Sequence, residues 1–188
     1  TGVPAAGDAA GGRGRGGGGA RDQGERQGAA ATCAGEGTQG DQVQKLVDDV
    51  VKRFGRLDIL INDAAYNKAI AFKDLDSLTY EEWTKIIDIN LTGPMLLTKA
   101  VEPAMKRGGA GRIVNISSFA GLGPTGSSIT YAVSKAGLIH LTKCMAVALA
   151  PEVLVNCVAP GLLEGTRATA NLRPEAVDLV SSALAALE

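Results

Sequence analysis

Residues 111–135, GRIVNISSFAGLGPTGSSITYAVSK, decide the fold of this chain. The apolar run 112–116 follows a turn and predicts a strand that ends in two serines. A loop rich in Gly, Ser and Thr then leads into a helix predicted over 131–149, which Pro151 ends. A strand, a polar loop and a helix in this order are typical of open parallel sheets, which place their sites at such loops.

Tyr131 and Lys135 are four residues apart, so a helix places them on one face. An ammonium beside a phenol stabilises the phenolate and lowers the phenol pKa from its free value of about 10. Tyr131 is therefore a candidate general acid or base, and Ser118 offers a hydroxyl from the strand end. A Tyr–Lys pair on a helix more often belongs to a solvent-exposed face than to a catalytic site. The strand and polar loop that precede this pair favour the catalytic interpretation.

The flanking sequence predicts further alternating helices and strands. Apolar residues at helical spacing predict a helix over 41–54, with Asp41 as its N-cap and Gly55 as its stop. Thr79 is a candidate N-cap of a second helix. The other predicted elements are a buried strand at 57–61, helices at 95–105 and 174–187, and a strand at 153–158. This alternation predicts an α/β fold with a parallel sheet and flanking helices.

Composition separates residues 1–40 from the rest. Fourteen of these forty residues are Gly and nine are Ala, so this segment is expected to be disordered and residues 41–188 to form the domain. The net charge is −1, which favours neither nucleic acid nor anionic membrane as a partner. Three isolated cysteines indicate reduced thiols in a cytoplasmic protein, and a single histidine argues against a metal site.

Residues 41–166 resemble a short-chain dehydrogenase/reductase, most nearly the 3-oxoacyl-carrier-protein-reductase-like group. The motifs that carry the resemblance occur in the family's order: Asn62-Asp63-Ala64-Ala65, Asn90-Leu91-Thr92-Gly93, Ile116-Ser117-Ser118, Tyr131-x-x-x-Lys135 and Pro160-Gly161. The resemblance implies a Rossmann-like fold and an oxidoreductase that interconverts a carbonyl and a secondary alcohol with NAD or NADP. It also implies a homodimer or homotetramer for a complete protein.

The resemblance also implies a role for each catalytic residue. Tyr131 exchanges a proton with the substrate oxygen, Lys135 lowers the Tyr131 pKa and binds the nicotinamide ribose, and Ser118 orients the substrate. Ser117 is the alternative to Ser118. Asn90 corresponds to the asparagine of a proton relay that ends at the lysine, although by itself it is equally consistent with a polar residue that interrupts a helix.

The same resemblance implies that Asn62, Asp63, Ala64, Pro160 and Gly161 lie against the cofactor, together with Tyr131 and Lys135. Asp63 replaces an amide of the family pattern with a carboxylate. Ala65 replaces a glycine, which is costly if the backbone there needs a positive φ.

The family's glycine-rich phosphate turn has no convincing counterpart in residues 1–40, because no strand precedes the glycines there. The sheet is therefore expected to lack its first and last strands, and the chain to bind cofactor poorly and turn over slowly. The alternative is a non-catalytic module that keeps the fold for association. Substrate identity, reaction direction and the choice between NAD and NADP remain open.

Overall fold

The structure, a computed structural model, describes residues 40–161 and residue 163. Two expectations lie outside the described residues: disorder in the glycine-rich opening segment, and the helix over 174–187. The described chain alternates helices and strands, so the predicted α/β class is confirmed.

Within the described residues, the sheet has three parallel strands in the order β1-β2-β3, with β1 at Ile59–Asn62, β2 at Gly111–Ile116 and β3 at Val153–Val158. The register pairs Asn62 with Asn115, so the carboxyl ends of β1 and β2 lie side by side. Such an edge is where parallel sheets collect functional loops.

Four α-helices accompany these strands, and their ends follow local sequence signals. The Thr79 hydroxyl accepts a hydrogen bond from the Glu82 N–H, as expected of the predicted cap. Gly109 ends the third helix at φ 77°, where a side chain would be strained. Asp41 lies inside the first turn and is not the N-cap. The helices are α1 (Gly40–Phe54), α2 (Tyr80–Ile87), α3 (Gly93–Gly108) and α4 (Ile129–Leu149).

One face of the sheet holds the core, which helices α1, α3 and α4 cover. Alternate residues of the strands point into it, and its members are Val47, Val101, Met105, Ile113, Leu149, Val153 and Val155. The predicted strand 57–61 begins two residues later than expected, and it is not buried on both faces. Ile59 and Ile61 are 63% and 60% exposed because, within the described residues, β1 is an edge strand with an uncovered face.

Helix α4 is long and apolar enough to cross a membrane by length and composition alone. The core helix of a soluble protein passes the same test. Because Ser134, Lys135 and Thr142 of this helix are buried and hydrogen-bonded inside the fold, its apolar composition does not indicate a membrane protein.

Candidate functional site

The loops that follow the three strands meet at the carboxyl edge of the sheet. The Ser117 N–H donates to the Val158 carbonyl (2.7 Å) and the Phe119 N–H to the Pro160 carbonyl (2.8 Å), which joins the loops after β2 and β3. The Ile70 N–H donates to the Ser127 carbonyl (2.9 Å), which joins the loop after β1 to the start of α4. Residues from three separate motifs are thereby brought to one edge.

Lys135 is the charged group at the centre of this edge. Its side chain is only 3% exposed, and its Nζ donates to the Ile116 carbonyl at 2.8 Å. Burial lowers the Lys135 pKa, while the charges of Asp63 and then Cys157 oppose that shift. The Nζ lies 5.8 Å from the centroid of the Tyr131 ring, so the predicted pair shares one environment.

Tyr131 lies in the first turn of α4 and is half-buried. Its N–H donates to the Ser128 Oγ (3.2 Å), the N-cap that starts the helix. Gly126 has φ +114°, and a Cβ built there would lie 2.8 Å from the Ala120 Cβ and 3.7 Å from the Tyr131 Cδ1. Glycine is therefore required here by the positive φ and by the close approach to Ala120, and it lies in ordinary contact distance of the tyrosine ring.

The two serines after β2 occupy different positions. The buried Ser117 Oγ donates to the Lys135 carbonyl (2.8 Å), so its hydroxyl proton is committed to holding α4 against the strand end. The half-buried Ser118 Oγ accepts from the Ala120 N–H (3.2 Å) and caps a short 3₁₀ turn. Among the described residues no acceptor takes the Ser118 hydroxyl proton. This geometry favours Ser118 over Ser117 as the group that meets substrate, an assignment that stays a prediction.

Asn90 lies in a π-helical turn, Asp88–Thr92, between α2 and α3, and is fully buried. Its Oδ1 accepts from the Tyr66 N–H (2.8 Å), and its Nδ2 donates to the Tyr66 carbonyl (3.0 Å) and the Ser134 Oγ (3.1 Å). The Ser134 Oγ in turn donates to the Tyr131 carbonyl (2.8 Å). Asn90 thus ties the loop after β1 to the helix that carries Tyr131.

Sequence reasoning missed Tyr66 and Ser134 as partners of Asn90. Ser134 carries a usable signal, because it lies three residues after Tyr131 and so on a neighbouring part of the same helix face. Nothing in the sequence marks Tyr66, whose backbone, and not its side chain, meets Asn90. The relay role of Asn90 stays a prediction.

Asn62 begins a buried chain of hydrogen bonds that crosses from β1 to α4. Its Nδ2 donates to the Asn115 Oδ1 (2.7 Å), and the Asn115 Nδ2 donates to the Thr142 Oγ1 (2.9 Å). The Thr142 Oγ1 donates to the Leu138 carbonyl (2.7 Å). The Asn62 Oδ1 is buried and has no hydrogen-bond partner among the described residues. Through these hydrogen bonds, Asn62 fixes the end of β1 and so positions Asp63 and Ala64, which follow it.

The remaining predicted cofactor residues line the same edge. Asp63 and Ala64 are exposed just beyond β1, Pro160 is half-buried and Gly161 is exposed beyond β3. Ala65 is tolerated without strain, because no described residue other than glycine has a positive φ. A Cβ at Gly161 would meet no described atom within 4 Å.

These residues fit the nicotinamide end of a dinucleotide. Lys135 is a buried hydrogen-bond donor suited to ribose hydroxyls, and the small residues Ala64 and Gly161 are exposed beyond the ends of β1 and β3. The glycine-rich segment in which no convincing phosphate turn was found lies outside the described residues. Within residues 40–161, no group of three or more His, Cys, Asp or Glu side chains is placed to hold a metal ion.

Comparisons with known proteins agree with this geometry. The family model for short chain dehydrogenase matches residues 18–177. This range begins before residue 41, where the sequence predicts that the domain starts. That start stays a prediction. The 3-oxoacyl-[acyl-carrier-protein] reductase of Synechocystis is 39% identical over 138 residues, which are 73% of this chain and 54% of the relative. The chain spans about half the length of the curated relatives it matches.

Two solved structures with bound cofactor are similar to the described fold. NAD+-bound xylitol dehydrogenase matches with a TM-score of 0.63 and 35% identity, over 67% of this chain and 48% of that one. The NADP-bound structure of ElxO matches with a TM-score of 0.66 and 32% identity, over 77% of this chain and 56% of that one. The predicted Rossmann-like architecture is thereby confirmed, and nicotinamide cofactors are bound in these similar structures.

Proposed function

Because the chain belongs to the short-chain dehydrogenase/reductase family, we propose that it interconverts a carbonyl and a secondary alcohol with NAD or NADP. The observation that carries this proposal is the buried Lys135 ammonium 5.8 Å from the centre of the Tyr131 ring, at the carboxyl edge of a parallel sheet. Buried cations are costly unless their charge is used or paired, which favours a functional role for this lysine.

Tyr131 is the proposed general acid of the reducing direction. Its hydroxyl gives a proton to the carbonyl oxygen, and the nearby ammonium stabilises the negative charge that the phenol oxygen acquires. The Ser118 hydroxyl, whose proton no described group accepts, donates to the same substrate oxygen and orients it. A nicotinamide cofactor held at this edge would supply the hydride for reduction of the carbonyl and would accept it in oxidation of the alcohol.

Lys135 is proposed to contact the cofactor and to take part in proton transfer to the substrate. One of its three N–H groups is held by the Ile116 carbonyl, which leaves two for the nicotinamide ribose and for a proton path. Asp63, Ala64, Pro160 and Gly161 are proposed to line the cofactor. Asn90 contributes by holding the loop after β1 and α4 together, and with Ser118, Tyr131 and Lys135 it completes the proposed proton relay.

The test is the substitution Tyr131→Phe, assayed with a panel of small ketones by the loss of reduced nicotinamide absorbance. Turnover is expected to be slow, so single-turnover conditions with excess protein are used. The variant should lose at least about a hundredfold in rate, the lower range for a general acid. Tyr80→Phe is the matched control, because Tyr80 is exposed on α2. Equal rates for Tyr131→Phe and the wild type would refute the assignment.

A second candidate function is a non-catalytic module that associates through α3 and α4. Val147, which is 85% exposed on α4, is the observation that favours it, since a large apolar side chain in water is a candidate contact. The chain would then sediment as a homodimer or homotetramer, Val147→Glu would weaken that association, and Tyr131→Phe would not change it. An absence of wild-type turnover with every ketone and either cofactor would leave this candidate in place of the first.

A further inference from the structure

Lys135 is a buried cation that forms no salt bridge with a described acidic residue. The three ion pairs among the described residues are Arg56–Asp58, Lys68–Glu82 and Lys106–Glu102, and all three are at least partly exposed. The acceptor of Lys135 is a neutral backbone carbonyl at Ile116. A lysine side chain buried in this way favours the neutral amine unless a nearby negative charge stabilises the protonated form.

The end of β1 places a carboxylate close to this ammonium. Asn62 pairs in register with Asn115 and is hydrogen-bonded to it at 2.7 Å, so the two strand ends are held together. The next residue on one strand is Asp63, and on the other it is Ile116, whose carbonyl binds Lys135. Asp63 therefore follows one strand end while the Lys135 ammonium is held at the neighbouring strand end, which brings the two charges within electrostatic range.

We propose that Asp63 is a positioning residue that supplies the counter-charge of Lys135 and so keeps that side chain protonated at the site. The motif that residues 62–65 resemble has a neutral amide at this position, whereas this chain has a carboxylate. Asp63 is the first of the groups that raise the Lys135 pKa against burial, and the second, Cys157, approaches from β3. Among the residues that the structure describes, Tyr131 on α4 also lies near the ammonium, with its ring centroid 5.8 Å from the Lys135 Nζ.

The inference deepens the proposed function, but its test does not depend on turnover. The ionisation of Lys135 is followed in the full chain by the lysine ¹³Cε chemical shift as a function of pH, with Lys135→Arg used to assign the signal. Asp63→Asn keeps the shape of the side chain and removes its charge. The Lys135 midpoint should move to lower pH in Asp63→Asn, because only the burial effect and Cys157 then remain.

The controls separate this local charge from general effects. Asp76→Asn removes one exposed carboxylate elsewhere in the described chain and should leave the midpoint in place. Asp63→Ser is a second variant that also removes the charge, and it should reproduce the shift if Asp63→Asn does not fold. An unchanged midpoint in a folded Asp63 variant, or an equal shift in Asp76→Asn, would overturn the inference. Neither result would bear on Tyr131→Phe, whose failure would refute the enzymatic role alone.

Discussion

The buried amide of Asn115 makes a quantitative prediction about the site scaffold. Asn115 is 1% exposed, accepts from the Asn62 Nδ2 at 2.7 Å and donates to the Thr142 Oγ1 at 2.9 Å. Asn115→Ala removes both hydrogen bonds and leaves the Asn62 Nδ2 without its acceptor in the core. The Thr142 hydroxyl loses less, because it still donates to the Leu138 carbonyl.

The magnitude follows from these contacts. A buried donor left without a partner costs about 1–3 kcal/mol, and the small cavity left by the amide adds about 1 kcal/mol. We therefore expect Asn115→Ala to lower the free energy of unfolding by about 2–4 kcal/mol. Because Asn62 holds the loop that carries Asp63, the same variant should also weaken nicotinamide binding.

The assay is urea unfolding followed by the fluorescence of Trp83, the single tryptophan of the chain. Asn156→Ala is the matched control, since Asn156 is an exposed asparagine on the neighbouring strand β3 and should change stability by no more than about 0.5 kcal/mol. If both variants unfold at the same urea concentration with equal slopes, the hydrogen-bond chain does not stabilise the fold and the reasoning fails.

Two further outcomes follow from the structure. Gly121→Ala places a Cβ 2.7 Å from the Lys135 backbone carbon, so it should destabilise by about 1–3 kcal/mol in the same urea assay. Gly123→Ala, whose Cβ would meet nothing within 4 Å, should not, and equal losses would contradict the close approach. Since the folded-state pKa of Lys135 is lowered, the unfolded chain binds more protons between that pKa and about 10.5. The wild type should therefore gain stability relative to Lys135→Met as pH rises through this window, and a constant difference would argue against a lowered pKa.

The strand elements show how far sequence reasoning reaches. The strand at Val153–Val158 is found at its predicted bounds, because a mostly apolar run, broken only by Asn156, lies between Pro151 and Pro160. Strand β1 is displaced from the predicted 57–61, since Leu57 is apolar for a different reason: it packs against the core before strand pairing begins. Local hydrophobicity detects burial, whereas strand bounds depend on which residues pair with the neighbouring strand.

The sequence predicts those parts of the site whose residues lie close together along the chain. The distance of four residues between Tyr131 and Lys135 directly predicts their shared environment. The bond between Asn115 and Thr142 joins residues 27 positions apart, and the bond between Asn90 and Ser134 joins residues 44 apart. Such contacts depend on how helices dock on the sheet, which no local period encodes, and the π-helical turn at Asn90 likewise has no sequence signature.

The uncovered face of the sheet bears on how the protein behaves at high concentration. Ile59 and Ile61 on β1, with Leu154 and Val158 on β3, present branched aliphatic groups to water, and within the described residues β1 is an unpaired edge of the sheet. An exposed apolar face next to an unpaired strand edge favours association between molecules. Added salt should strengthen this association, and mild detergent should weaken it. Preparations kept dilute and in low salt should therefore stay clear for longer than concentrated ones.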